Sequence, residues 1–215
     1  MITSVDGGAT VEGRAGGLAG PGDRLLFKML REVADVVLVG AGTVRVENYS
    51  GAQLSVASRQ ARHARGQAEV PPIAVVTASG ALEPSSRLFA LTETPPLVFT
   101  TNASFVATRD RLRGQADVFD ASTDDPIAVD PTAVLAALAQ RGLHRVLCEG
   151  GPTLLANFVE LNLLDELALT VAPMLVAGGA PRMVKGQTPV TTDLRTEHVL
   201  TDEAGYLYLR YTRRR

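Results

Sequence analysis

The sequence has a single cysteine, Cys148, among 215 residues. No disulfide can close within the chain, which fits a reducing compartment. No CxxC pair, no His/Cys cluster and no zinc deaminase signature occurs, so a thiolate zinc site within one chain is not expected. Histidine is scarce too: His63, His144 and His198 are scattered and have no partner at ligand spacing. No apolar run reaches the roughly 18 residues that a membrane-spanning helix needs. Charge of one sign is missing as well. The net charge is −2 and the pI about 5.9, which points away from nucleic acid or an anionic membrane as partner. The segment 1–8 has no basic stretch leading into an apolar one, so no signal peptide is expected. Neither a GxSxG elbow nor a Walker A lysine motif is present.

What remains is an ordinary globular balance, 46% hydrophobic and 20% charged, in a length that suits one domain over residues 1–215. The first 23 residues are rich in glycine (Gly7, Gly8, Gly13, Gly16, Gly17, Gly20, Gly22) and read as a loop, either a terminal one or a lid over a site. Asp23 reads as an N-cap, followed by Leu25, Leu26, Met29, Leu30 and Val33 at helical spacing, a core-facing helix. Five short apolar runs follow: Val36–Val39, Ile73–Val76, Leu97–Phe99, Ala116–Phe119 and Arg145–Cys148. Such runs suit buried strands of a parallel sheet. Helical segments over 105–113, 132–140 and 151–163 alternate with them, and alternation of this kind predicts an α/β fold. Leu167–Ala172 reads as a further central strand. Tyr206–Tyr211 reads as an edge strand, pairing with His198–Leu200 in a hairpin. The stretch 49–70, with Arg59, Arg62, His63 and Arg65, reads as an exposed helix, and Arg213–Arg215 as a solvated tail.

Glycine-rich turns follow three of these strands. Val39-Gly40-Ala41-Gly42-Thr43-Val44 reads equally as a tight turn or as a phosphate cradle of backbone amides. It fails as a dinucleotide fingerprint, because Arg45 stands where the third glycine belongs. Glu149-Gly150-Gly151-Pro152-Thr153-Leu154 joins a strand to a helix. Pro152 suits a first helical turn, and an acid at a strand end beside exposed amides points to function. Ala177-Gly178-Gly179-Ala180 is either a plain loop or a packing support. Ser4-Val5-Asp6-Gly7 contains a turn-forming Asp-Gly pair. Cys148, inside a strand, reads as a small hydrophobe.

Four motifs, Ser4–Gly7, Val39–Val44, Glu149–Leu154 and Leu164-Asp165-Glu166-Leu167 leading to Ala172-Pro173 and Gly178-Gly179, occur in order over nearly the whole chain. In that order the sequence resembles the reductase domain of bacterial riboflavin biosynthesis, a branch of the dihydrofolate reductase-like fold. The resemblance implies a mostly parallel central sheet of about eight strands flanked by helices. It also implies an NADPH-dependent, cytoplasmic, homodimeric oxidoreductase with a small-molecule substrate. The implied reaction is reduction of the ribosyl group of 5-amino-6-(5-phosphoribosylamino)uracil to ribityl. By the same resemblance Gly40, Gly42, Thr43, Glu47 and the segment Gly150, Gly151, Pro152, Thr153 and Leu154 hold the nucleotide, with Thr77 and Ser79 at its adenosine 2′-phosphate and Thr100 and Thr101 on the same rim. Ser4, Asp6, Arg31 and Glu149 match the substrate side, with Asp6 and Glu149 as candidate proton donors. Gly8 departs from the pattern, since family members often carry Lys or Arg there. Glu47 stands in for an Asp-containing stretch, no deaminase domain is present, and most of the strand leading into Ser4 is expected to be missing. Two alternatives stay open. One is a pterin reductase of the dihydrofolate type, with Asp23 as substrate ligand; the other is a non-catalytic NADPH-binding protein.

Overall fold

A computed structural model describes residues 1–214. The chain divides into two compact units, one made of Met1–Phe27 and the chain from Gly150 onward, the other of Lys28–Glu149.

The Lys28–Glu149 unit is built on five parallel strands: β2 (Val36–Gly40), β3 (Ile73–Val76), β4 (Leu97–Thr100), β5 (Asp117–Asp120) and β6 (Val146–Cys148). Their spatial order is β5-β4-β3-β2-β6. Val36, Val37, Leu38 and Val39 are all fully buried. Both faces of the central strand are thus covered, as an apolar run in a parallel sheet requires. One face packs Val37, Val39, Ile73, Val75 and Val98 against Val44, Leu88 and Leu112. The helices of this unit are the end of α1 (Pro21–Val33), α2 (Ala41–Val46), α3 (Val56–Ala64), α4 (Arg87–Ala90), α5 (Asn102–Arg111) and α6 (Pro131–Ala139). Asp35 fixes the entry to β2: its carboxylate accepts from the backbone N–H of His144 and Arg145 at 3.1 and 2.8 Å and from the Gln67 amide at 2.7 Å.

The other unit holds a four-stranded sheet in the order β1-β7-β9-β8, from β1 (Ile2–Ser4), β7 (Glu166–Ala172), β8 (Leu194–Thr201) and β9 (Leu207–Arg213). β1 runs parallel to β7, while β7, β9 and β8 are antiparallel to one another in turn. A 3-10 turn at Ala15–Gly17 and the helix α7 (Pro152–Glu160) complete it.

Several expectations change. Among the described residues nine strands fall into sheets of five and four, so the parallel core is smaller than a single eight-stranded sheet. The strand leading into Ser4 is present as β1. The segment after Tyr206 is interior, and β8 is the edge, because β8 rather than solvent takes the outer hydrogen bonds of β9. Asp23 is the third residue of α1 and not its N-cap. No residue of α1 is buried, and Leu25 and Met29 are 60% and 56% exposed. Arg62 is fully buried where an exposed helix was expected. Arg213 belongs to β9 and its backbone N–H reaches Asp165, so it is no free tail; Arg215 lies outside the described residues.

Candidate active site

Strands β2 to β5 step outward in one direction, and β6 then returns to the opposite side of β2. The order therefore reverses between β2 and β6, and the crevice beyond the carboxyl ends of such a pair is where open α/β sheets place ligands. Two of the sequence motifs meet that point: β2 ends in Gly40, which caps α2, and β6 ends beside Glu149, whose backbone N–H bonds the Leu38 carbonyl at 2.9 Å. A Cβ built on Gly42 would meet no atom within 4 Å, so the turn carries open space over its backbone. Thr43 follows in the first turn of α2. Glu47 is the C-cap of α2, its backbone N–H bonded to the Thr43 carbonyl.

Glu149 is 3% exposed and both its oxygens are engaged. Arg31, in the last turn of α1, donates Nε to Oε1 and Nη2 to Oε2, both at 2.7 Å. Tyr49, just past α2, donates its hydroxyl to Oε2 at 2.6 Å, and the guanidinium lies 5.6 Å from the Tyr49 ring centroid. Fork-to-carboxylate geometry of this kind is strong and directional. Burial works against the Arg31 charge, but the Glu149 carboxylate more than offsets it and holds the guanidinium above its usual pKa. Burial, and then the neighbouring carboxylate, pushes the Tyr49 phenol well above its ordinary range, so it stays a donor. Tyr49 was not singled out by sequence reasoning, because an aromatic in a polar loop gives no periodic signal.

At the ends of β3 and β4, Thr77, Thr100 and Thr101 are buried and Ser79 is exposed. Thr100 Oγ1 is buried without a hydrogen-bond partner. The Thr101 hydroxyl is committed locally: it donates to the Ala78 carbonyl at 3.0 Å and caps α5 by accepting from Ser104 N–H at 3.3 Å. Two arginines that the sequence did not flag reach the loop carrying Ser79. Arg45 donates to the Ala81 carbonyl at 3.2 Å and Arg111 to the Gly80 carbonyl at 2.8 Å.

The other unit holds the remaining candidates. Residues 4–8 form a closed turn, with Ser4 N–H bonded to the Gly8 carbonyl at 2.8 Å and Gly7 at φ +87°. Ser4 Oγ donates to Asp6 Oδ1 at 2.5 Å, and Asp6 also accepts the backbone N–H of Val176 and Ala177 at 3.2 and 2.8 Å. These donors, Ser4 first, hold the exposed Asp6 carboxyl down at about 2. Beside this junction a depression of about 360 Å³ is lined by Thr10, Glu12, Gly13 and residues 176–181 except 178. A Cβ on Gly8 would meet Ser4 Oγ at 3.1 Å and Ala180 Cβ at 3.2 Å, so a side chain at this position would crowd the turn. Gly150 has φ +87°, the Gly150–Gly151 peptide is cis, and Gly151 caps α7 without a side-chain bond. Pro152 opens α7, Thr153 is exposed and Leu154 is buried. Asp23 lies in the first turn of α1.

Fold and site together define an α/β protein with its polar groups at a strand-order reversal. Residues 1–208 match the RibD C-terminal domain family, and the chain belongs to it. It is 26% identical over 167 residues to the 2,5-diamino-6-ribosylamino-4(3H)-pyrimidinone 5′-phosphate reductase of Archaeoglobus fulgidus, over 77% of this chain and 74% of that one. It is 32% identical over 190 residues to the riboflavin biosynthesis protein RibD of Bacillus amyloliquefaciens, over 86% of this chain; the match spans 47%, about half, of that relative. Among solved structures, a pyrimidine reductase-like protein from Corynebacterium diphtheriae superposes with TM-score 0.88 at 28% identity, covering 100% of this chain and 90% of that one.

Proposed function

We propose that the chain is a reductase of the riboflavin pathway that uses NADPH to reduce the ribosyl group of a phosphorylated ribosylaminopyrimidine, and that both units serve this one activity. The observation that carries the reading is the reversal between β2 and β6, where an open glycine turn and a buried, fully bonded Glu149 end adjacent strands.

A nicotinamide dinucleotide fits the residues present. Within the Lys28–Glu149 unit, the space over Gly42 and the orphaned Thr100 hydroxyl are the features such a ligand would use. Gly40, Gly42 and Thr43 would hold its phosphates, and Thr77, Ser79, Arg45 and Arg111 its 2′-phosphate; the Gly150–Leu154 segment belongs to the other unit. The pair of guanidiniums on the Ser79 loop supports NADPH over NADH. When bound, the cofactor supplies the reducing equivalents; the chain supplies binding, orientation and electrostatics.

On this reading the two acids first considered as proton donors have holding roles, which their bonding supports. Asp6 stays ionised at working pH and joins the turn of residues 4–8 to the segment at Val176 and Ala177. Glu149 fixes Arg31 and Tyr49 as a rigid polar surface toward substrate. Proton delivery falls to solvent. A homodimer in the cytoplasm belongs to the same reading, supported by the exposed Val199 and Leu200 on β8.

The test is NADPH oxidation followed at 340 nm with the purified protein, run with 5-amino-6-(5-phosphoribosylamino)uracil, with its 2,5-diamino-pyrimidinone counterpart and with dihydrofolate. Turnover of either phosphoribosylamino-pyrimidine establishes the activity and its ring preference. Turnover of dihydrofolate alone moves the protein to pterin chemistry. NADPH binding with no turnover makes it a binding protein.

A further inference from the structure

The last turn of α1, which carries Arg31, is held by side chains rather than by a glycine cap. A helix leaves its final carbonyls without internal partners, and here the Leu30 carbonyl accepts from Ala34 N–H at 3.1 Å. Arg62 of α3 supplies most of the rest. Its Nη1 reaches the carbonyls of Arg31, Glu32 and Ala34 at 3.3, 2.8 and 2.5 Å, while Nε bonds the Ala68 carbonyl at 2.7 Å. Arg65 adds a bond to the Glu32 carbonyl at 2.9 Å, and Gln67 one to Val33 at 3.0 Å.

Arg62 is fully buried, its hydrogen bonds go to backbone carbonyls, and Nη2 has no hydrogen-bond partner. Burying a guanidinium on carbonyl dipoles alone is costly. The planar fork returns something no apolar side chain offers: it pins the end of α1 and the segment at Ala68 with one rigid group. A lysine, with a single donor point on a flexible stem, cannot satisfy both directions. The fixed turn is also the turn whose next side chain, Arg31, makes the two 2.7 Å bonds to Glu149.

We infer that Arg62 is a positioning residue for the site: by clamping the terminal carbonyls of α1 it sets the Arg31 guanidinium in register with Glu149 and Tyr49. The catalytic consequence rests on the reductase reading above; the structural consequence does not.

The experiment compares wild type with Arg62→Lys, with Arg59→Met as a control on the exposed side of the same helix, where Arg59 pairs with Glu93. Two readouts are taken. In ¹⁵N-edited NMR, the Arg31 Nε–H, identified by its loss in Arg31→Lys, gives a slowly exchanging signal in wild type and Arg59→Met. In Arg62→Lys that signal collapses or exchanges at least about tenfold faster. In kinetics, kcat/KM for the pyrimidine falls about tenfold in Arg62→Lys, while KM for NADPH stays within about twofold. In a Glu149→Gln background, Arg62→Lys then costs nothing further, because the contact it serves is already gone. A merely structural Arg62 would lower Tm while leaving the Arg31 signal and kcat/KM in place, or would add its full loss in the Glu149→Gln background; either result overturns the proposal. If Arg62→Lys does not fold, Arg65→Gln, which loosens the same turn by removing the bonds from Arg65 to the Glu32 carbonyl and to the Gln67 side chain, decides the matter through the same signal: faster exchange supports the clamp and an unchanged rate refutes it. If wild type turns over no pyrimidine, the NMR comparison still decides the role of Arg62, and the failure belongs to the substrate assignment.

Discussion

Single side chains decide what this site can do. Asp6 illustrates it: three donors pull its pKa from 3.8 to about 2. A lowered carboxyl pKa contributes stability that is fully present above the unfolded value and lost as pH falls through the folded one. The junction of the 4–8 turn with Val176 and Ala177 is therefore intact from about pH 4 upward and opens between there and pH 2. Hydrogen exchange at the Val176 and Ala177 amides should accelerate across that window in wild type and be fast at every pH in Asp6→Asn. By the same token the pH profile of kcat/KM between 5 and 9 should contain no ionisation that Asp6→Asn removes. Arg45 and Arg111 carry a second prediction. A charge-assisted bond to a phosphate is worth about 1.5–3 kcal/mol, so Arg45→Ala and Arg111→Ala should each raise KM for NADPH about tenfold or more and leave KM for NADH nearly unchanged. Equal effects on both cofactors would remove these arginines from the 2′-phosphate.

At the scale of elements, the polar N-terminal stretch is made rigid by a hairpin far along the chain. Tyr206 and Tyr208 stack at 6.3 Å on the β8–β9 hairpin. Tyr206 donates to the Leu18 carbonyl at 3.0 Å, and Tyr208 donates to Asp202 at 2.6 Å. The backbone at Gly20 and Gly22 lies directly on these rings: an added Cβ would stand 2.8 Å from Tyr206 Cζ in one case and from Tyr208 Cζ in the other. Neither glycine is needed for its φ, so the constraint is close approach. Gly22→Ala should cost about 1–3 kcal/mol through overpacking, read as a lower Tm, with recovery in Gly22→Ala/Tyr208→Ala. Glycine richness in residues 6–22 reads as flexibility from sequence; here part of it reflects tight packing.

For the whole molecule, ligand linkage gives the broadest check. A ligand that binds only the native state adds RT ln(1 + [L]/Kd), about 2.7 kcal/mol at a hundred times Kd. NADPH should raise Tm accordingly in a thermal melt, and NADH at the same concentration should raise it less. Absence of any shift with NADPH would remove the cofactor assignment while leaving the fold and family membership as they are. Sedimentation equilibrium should give twice the mass of one chain if the homodimer holds.

Local pattern determined a good deal of this protein. The runs Val36–Val39, Ile73–Val76 and Leu97–Phe99 are apolar at every position, and a segment of that kind is stable only with both faces covered, so buried parallel strands followed from sequence. Pro152 marked a helix start by local chemistry that needs no partner from afar. The glycine turns at Gly40 and Gly150 announced the ends of β2 and β6. Partners distant in sequence were decided only by tertiary structure. Arg62 looked like a solvated charge because hydropathy records the residue and not the carbonyls around it. Arg31, Tyr49 and Glu149 form one cluster across separations of 100 and 118 residues, and Arg45 and Arg111 meet on a loop that neither adjoins. The division into sheets of five and four likewise depends on which strand ends find each other's hydrogen bonds. Periodicity and turn chemistry act over a few residues and are written in the sequence; the pairing of polar groups depends on where the folded backbone carries them.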